Sequence, residues 1–193
     1  MMNKIIFALM AAAGLISAPA HALNNGDFSS GLTGWSSSGI VTTSNGAAAL
    51  FSSITNENTA FNTSGLLGTF GATLYQDVTL ASGATLAFDW KFTTQDHLPF
   101  NDFALLTLGG NQVVLSNVEL VGNQGSTGWQ HYSTILSAPV SRIAFVVSNQ
   151  RDNDVSTALY IDNVTAAVPE PETYAMLLAG LGLMAGIARR KQK

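Results

Sequence analysis

Short runs of alternating apolar and polar residues recur along the middle of the chain. In the cleanest run, from Leu86 to Phe92, the polar residues Asp89 and Lys91 fall on the face opposite Trp90. Successive side chains of a β-strand point to opposite faces, so this run predicts a strand with one face in a core and the other in water. Nine stretches are predicted as strands in this way: Gly39 to Thr43, Ala47 to Phe51, Thr73 to Leu80, Thr85 to Thr93, Phe103 to Leu108, Gln112 to Val118, Trp129 to Leu136, Arg142 to Val147 and Ala158 to Val164.

Gly, Asn and Ser separate these runs, and no amphipathic helical pattern lies between them. Gly109-Gly110 predicts a two-residue hairpin, and Ala81-Ser82-Gly83 a slightly longer one. Many short strands without intervening helices favour an all-β fold, a two-sheet antiparallel sandwich of the jelly-roll type. The stretch from Ser52 to Gly71, rich in Asn, Thr, Ser and Gly, is expected to be a long surface loop or a mobile flap.

The chain begins with the pattern of a secretory signal peptide. Lys4 precedes the apolar stretch from Ile5 to Ile16, and Ala20-His21-Ala22 is a small-x-small cleavage site. We expect signal peptidase to remove residues 1–22 by cutting after Ala22.

The other end of the chain carries a second apolar segment. The uncharged run from Tyr174 to Ala188 would form a helix of roughly 23 Å, short for a hydrocarbon core of ~30 Å. The basic tail that follows would hold that end in the cytoplasm. Pro169 and Pro171 keep the preceding junction extended and open to a processing enzyme. The alternative is a buried core helix, but such a helix would carry polar residues at helical period.

A Pro-Glu-Pro tripeptide, one short hydrophobic helix and a basic tail, in this order, resemble the PEP-CTERM sorting signal of Gram-negative exopolysaccharide-producing bacteria. A membrane-embedded exosortase recognises that signal, so the resemblance implies export to the cell envelope or extracellular matrix after transient anchoring in the inner membrane. The chain then divides into a signal peptide at 1–22, a sandwich domain at 23–167 and a sorting signal at 168–193. The sorting residues that the resemblance implies are Pro169, Glu170, Pro171, Arg189, Arg190 and Lys191.

The charge of the central domain differs from that of the whole chain. Between the two signals only Lys91, Arg142 and Arg151 are cationic, against ten carboxylates, which gives a net charge of −7. Phosphate binding needs a basic surface, so nucleic acid is not an expected partner. The chain has no cysteine, and a domain of this length can be stable on its core alone.

The central domain also resembles jelly-roll carbohydrate-binding modules of the galactose-binding type. Asn25 to Phe28, followed by Gly31 to Trp35, is similar to their opening segment, and Tyr160 to Val164 to their closing strand. The resemblance spans most of the chain from Asn24 to Val164 and implies the same sandwich fold.

The same resemblance implies a structural calcium ion that joins the first and last strands through Asp27 and Asp162. Ser29 stands where these modules commonly carry Glu, which removes one ligand. The alternative is that both carboxylates accept hydrogen bonds from backbone amides in turns or at a strand edge. No other cofactor is expected. Two loop clusters are further candidate calcium ligands, each with an ordinary turn as the alternative: Asp152-Asn153-Asp154, and Asp96 with Asn101-Asp102.

Glycan binding would require exposed aromatic rings beside amides or carboxylates. Tyr75 and Tyr132 are the predicted candidates for the solvent-facing side, because Tyr75 alternates with Asp77 and Tyr132 with Gln130. The three tryptophans are expected in the core: Trp35, Trp90 and Trp129.

Catalytic motifs are lacking in the sequence. His97 and His131 have no ligand spacing between them, and Asp96 with Asp102 is the only dense carboxylate pair near an aromatic-rich loop. The sequence thus favours a non-enzymatic, exported protein with a structural or adhesive role in the exopolysaccharide matrix. A carbohydrate-binding module with a specific glycan is the first alternative, and a glycoside hydrolase-like enzyme the second.

Overall fold

The computed structural model describes residues 23–52, 68–152, 154–167, 178–182 and 184. These residues form ten β-strands and one short helix ahead of the sorting signal. The elements are β1 Ser36–Ser38, β2 Ile40–Ser44, β3 Ala47–Phe51, β4 Gly68–Leu80, β5 Thr85–Thr94, β6 Phe103–Leu108, β7 Asn111–Asn117, α1 Val118–Val121, β8 Gln130–Ile135, β9 Val140–Gln150 and β10 Thr157–Ala167.

The strands form two five-stranded sheets, and every pairing is antiparallel. Sheet A has the order β1-β4-β9-β6-β7, and sheet B the order β2-β3-β10-β5-β8. The predicted two-sheet antiparallel sandwich is therefore confirmed. All nine predicted strands are present, with ends that differ by up to five residues.

Two elements were not predicted. Strand β1 consists of three serines, which carry no alternation of apolar and polar residues. Helix α1 begins at Val118, where we had placed the end of a strand. The side chain of Asn117 accepts a hydrogen bond from the Leu120 amide and so caps the helix, which favours a turn over a longer strand.

The two predicted hairpins differ in outcome. Gly109-Gly110 joins the paired strands β6 and β7, as expected. The prediction for Ala81-Ser82-Gly83 was wrong, because this segment leads from β4 in sheet A to β5 in sheet B. Turn residues show where the chain bends, whereas the partner of each strand depends on contacts far along the sequence.

The core lies between the two sheets. The four side chains on the inner face of β5, from Leu86 to Phe92, are buried, as the alternation predicts. Phe88 meets Phe145 of sheet A edge to face, with ring centroids 4.9 Å apart. Trp35 is buried against Phe28 at 5.3 Å, so its predicted core position is confirmed. The core thus joins aromatic side chains from both sheets.

The segment before β1 packs on the last strand. The Val164 amide donates to the Gly26 carbonyl at 2.9 Å. The side chain of Gln76 binds both the amide and the carbonyl of Asn24, at 2.8 and 2.9 Å. A Cβ atom on residue 26 would lie 1.9 Å from the Val164 carbonyl oxygen, so this contact requires glycine.

Only part of the C-terminal segment is described. Residues 178–182 and 184 are helical, and Leu178, Leu181 and Met184 are exposed. None of the helices in the described ranges is long and apolar enough to cross a membrane. The expectations for the signal peptide and its cleavage at Ala22, and for the sorting residues, fall outside the described residues. The loop or flap expected from Ser52 to Gly71 is described only at its two ends. Ser52 is buried there, and residues 68–71 belong to β4, so the prediction was wrong for those four residues.

Candidate functional site

The outer face of sheet B carries a row of aromatic side chains around the only lysine of the sandwich. In register, Lys91 of β5 pairs with Tyr160 of β10, and Trp129 follows the same row just before β8. The Lys91 Nζ atom lies 4.3 Å from the Tyr160 ring centroid and 5.7 Å from that of Trp129. Phe51 of β3 meets Tyr160 edge to face at 6.3 Å. We call Phe51, Tyr160, Lys91 and Trp129 the aromatic row.

A polar pocket of about 370 Å³ borders this row on one side. The His131 Nδ1 atom lies 2.7 Å from Asp89 Oδ1, and Asn163 Nδ2 donates to Asp89 Oδ2 at 2.9 Å. Both hydrogen bonds lower the pKa of Asp89, the one with His131 more than the one from Asn163. The carboxylate is therefore ionised and fixed in orientation. The pocket is lined by Asp89, Trp129, Gln130, His131, Asp162 and Asn163.

A second depression lies on the other side of the row. It lies where Thr93 of β5 pairs with Ala158 of β10, two pairs beyond Lys91 and Tyr160 and on the same face of the sheet. Its floor is less charged than the polar pocket. The lining includes Phe51, Thr93, Gln95, Ser156, Ala158 and Tyr160.

Trp129 was expected in the core, and this prediction was wrong. Its side chain is 50% exposed. Gln130 pairs with Trp90, whose side chain points inward, so Trp129 one residue earlier points outward. The sequence carried no clear signal, because the apolar residues Ile135 and Leu136 fall on opposite faces and fix no phase for Trp129.

Tyr132 was expected to face solvent, and this placement was also wrong. It pairs with Phe88 on the inner side and stacks on that ring, with centroids 5.0 Å apart. Strand β8 is at the edge of sheet B, so polar Gln130 can occupy the rim of the inner face next to a residue that packs on the core.

Tyr75 lies on the outer face of sheet A, as its alternation with Asp77 predicts. The Arg142 guanidinium carbon lies 4.4 Å from the centre of its ring. Arg142 Nε and Nη2 donate to Asp77 Oδ1 and Oδ2 at 2.6 and 3.1 Å. These hydrogen bonds are the main cause of the lowered pKa of Asp77. The structure therefore places Tyr75 and Tyr132 on different sheets. Their roles in glycan binding stay predictions.

Asp27 lies in the segment before β1, and Asp162 lies in β10, on which that segment packs. Asp27 Oδ1 accepts from the amide and the hydroxyl of Ser29 at 3.2 and 3.0 Å, and Asp162 Oδ1 accepts from the Asn163 amide at 2.6 Å. Burial first, and then the charges of Asp89 and Asp27, raise the pKa of Asp162. These hydrogen bonds match the alternative of turn and strand-edge carboxylates. A calcium ion at this pair stays a prediction.

A second group of carboxylates forms at one end of the sandwich. Asp96 follows β5, Asp102 precedes β6 and Asp152 follows β9, and each offers a carboxylate oxygen within 4.8 Å of the other two. We call these three residues the acidic cluster. The sequence had placed them in two separate loop clusters. In the fold, Asn101 is used elsewhere, since its Oδ1 accepts from the Glu119 amide, and Asn153 lies outside the described residues.

Two members of the acidic cluster are almost fully buried: Asp96 is 1% exposed and Asp102 0%. Burial raises the pKa of Asp102 to about 7, and the charges of Asp96 and Asp152 act in the same direction. Burial, and then the Asp96 charge, also raises the pKa of Asp152. A glycosidase pair must reach its substrate, so buried Asp96 and Asp102 are poorly placed for that role.

Comparisons with known proteins identify the end of the chain. Residues 167–192 match the family model described as the PEP-CTERM protein-sorting motif. No curated protein matches the chain. The sorting-signal resemblance is thereby confirmed for that segment.

Several solved domains are similar to the sandwich at low identity. The carbohydrate-binding module TmCBM61, in complex with beta-1,4-galactotriose, is 17% identical over 77% of this chain and 98% of its own, with a TM-score of 0.41. CBM28, a module specific for non-crystalline cellulose, is 15% identical over 76% and 95%, with a TM-score of 0.44. The K3 adhesin domain of Lys-gingipain from Porphyromonas gingivalis w83 is 16% identical over 76% and 99%, with a TM-score of 0.44.

At these identities the likeness concerns the fold alone. The match to the sorting motif also bears on the fate of the protein, because the matched segment is a sorting signal. It implies that the protein is exported and that an exosortase sorts it.

Proposed function

We propose that this protein is a non-catalytic glycan-binding component of the cell envelope or exopolysaccharide matrix. The glycan lies on the outer face of sheet B. The observation that carries the proposal is the half-exposed Trp129 in one row with Tyr160, beside the polar pocket.

The chemistry of this face suits a sugar chain. The C–H faces of pyranose rings stack on aromatic side chains, and hydroxyl groups bind carboxylates and amides. Tyr160 and Trp129 are two strands apart in the sheet, or roughly 10 Å, so they would contact different units of one chain. Asp89, held ionised, and Asn163 then supply hydrogen-bonding groups next to the rings.

The charge of the domain favours a neutral glycan over a polyanionic one. Ten carboxylates against three cations repel a polyanion, and two of those carboxylates, Asp89 and Asp162, line the pocket itself. Lys91 is held between two rings, where it fixes their positions by cation–π contacts.

The proposal is tested by affinity electrophoresis of the full-length protein, in detergent, on the host's own exopolysaccharide and on a panel of neutral and acidic polysaccharides. Trp129→Ala and Tyr160→Ala should each weaken binding by roughly tenfold or more, because a few aromatic side chains dominate such interfaces. Tyr75→Ala is the matched control on the opposite sheet and should bind like the wild type.

Two other outcomes of this experiment would contradict the proposal. Loss of binding in Tyr75→Ala with retention in Trp129→Ala would move the glycan to sheet A. If no polysaccharide retards the wild-type protein, glycan binding is ruled out, and a purely structural or adhesive role remains.

A further inference from the structure

The acidic cluster joins loops from both sheets. Asp96 continues from β5 of sheet B, whereas Asp102 and Asp152 flank β6 and β9 of sheet A. The Thr157 hydroxyl, at the start of β10 in sheet B, donates to Asp102 Oδ2 at 2.5 Å. The Gln150 amide donates to Asp102 Oδ1 at 2.9 Å. The carboxylate of Asp102 is thus fixed by backbone and side-chain donors from two strands.

Asp96 has one carboxylate oxygen that is satisfied and one that is not. Its Oδ1 accepts from the His97 amide at 2.8 Å. Its Oδ2 is buried and, among the described residues, has no hydrogen-bond donor. A buried carboxylate oxygen without a donor costs free energy unless a cation binds it. His97 Nδ1, 3.6 Å from Asp96 Oδ1, belongs to a side chain that is 58% exposed and lies toward the other oxygen.

The separation of the oxygens fits one ion. Calcium binds oxygen ligands at about 2.3–2.6 Å, so two oxygens on the same ion lie up to about 5 Å apart. The three carboxylates meet that limit, with all separations within 4.8 Å. Carboxylate ligands without nitrogen or sulfur suit calcium, magnesium or manganese rather than zinc or copper. Magnesium keeps several of its waters and is usually bound through one or two carboxylates, so three converging carboxylates favour calcium.

We propose that Asp96, Asp102 and Asp152 bind a structural calcium ion that joins the two sheets at this end of the sandwich. The site is separate from the pair Asp27 and Asp162, and it does not depend on glycan binding. The hydrogen bonds from Gln150 and Thr157 act as the outer layer that orients Asp102.

The test compares the melting temperature of the full-length protein, in detergent, in excess chelator and in about 10 mM Ca²⁺, a concentration above the Kd range of extracellular modules. A saturated site should raise the melting temperature of the wild type by roughly 5–10 °C. Asp96→Asn should remove most of this rise. Isothermal titration with Ca²⁺ should count one bound ion fewer in that variant.

The behaviour in chelator separates ion binding from a merely structural role. Without calcium, Asp96→Asn should melt at or above the wild-type temperature, since it removes one of three neighbouring negative charges. If Asp96 only held its loop in place, the variant would melt lower in both conditions and keep the calcium-induced rise. That result overturns the proposal.

Two further variants locate the ion. Asp154→Asn changes an exposed acid in the same loop outside the cluster and should respond to calcium like the wild type. Asp162→Asn should also retain the response. A response that Asp162→Asn abolishes and Asp96→Asn preserves would place the ion at the first and last strands, and a wild type that does not respond would exclude both sites.

Discussion

At the scale of single residues, the position of a tryptophan in its strand decides its role. Trp90 is 9% exposed and faces the core, while Trp129 is 50% exposed beside Lys91. The two residues are neighbours across β5 and β8 but lie on opposite faces of sheet B. Alternation along β5 predicted Trp90 correctly, because that strand has neighbours on both sides. It failed for Trp129 and Tyr132, because the edge position of β8 could not be read from the sequence.

This difference predicts opposite effects of truncation. Trp90→Ala should lower the free energy of unfolding by about 3–5 kcal/mol, since it leaves a cavity in the core. Trp129→Ala should change it by no more than about 0.5 kcal/mol, as for other surface positions. Urea denaturation followed by circular dichroism measures both. Equal destabilisation by the two substitutions would contradict the assignment of faces.

At the scale of elements, the extents of the strands follow from local sequence, but their partners do not. The alternation located all nine predicted strands, and the Gly109-Gly110 pair located one hairpin. The membership of each sheet depends on pairings such as β10 with β3, which lie far apart in the chain. For the same reason the sequence predicted two separate acidic loop clusters, and nothing in it indicated that Asp96 and Asp102 meet Asp152.

The docking of the N-terminal segment on β10 can be tested at Gly26. Gly26→Ala should destabilise the domain by about 1–3 kcal/mol, because the added Cβ would overlap the Val164 carbonyl oxygen. The backbone of β10 would have to shift to relieve this overlap. Gly110→Ala is the matched control, since a Cβ there meets no atom within 4 Å. Thermal unfolding of both variants measures the difference. Similar melting temperatures for the two would show that the segment is not held against β10.

At the scale of the whole molecule, the sandwich is linked to an export route. The last strand ends at Ala167, and the sorting motif covers residues 167–192. No linker therefore separates the folded domain from the segment that the exosortase is expected to process.

Processing predicts a change in the mass of the mature protein. Replacement of Pro169, Glu170 and Pro171 by alanines should leave a longer, membrane-retained form, because the junction would lose the features that a processing enzyme recognises. Mass spectrometry of the surface-exposed wild type should find a chain that ends near Pro169. Detection of Lys193 in that material would rule out cleavage as the normal fate.

The place of β10 in the sandwich has a mechanical consequence. The strand lies in the middle of sheet B and is hydrogen-bonded to β3 on one side and to β5 on the other. Tension applied through an attached C-terminus would run along this strand and strain its backbone hydrogen bonds together, in shear. An edge strand would instead peel away one bond at a time, so a sandwich loaded through its C-terminus in this way resists unfolding under tension.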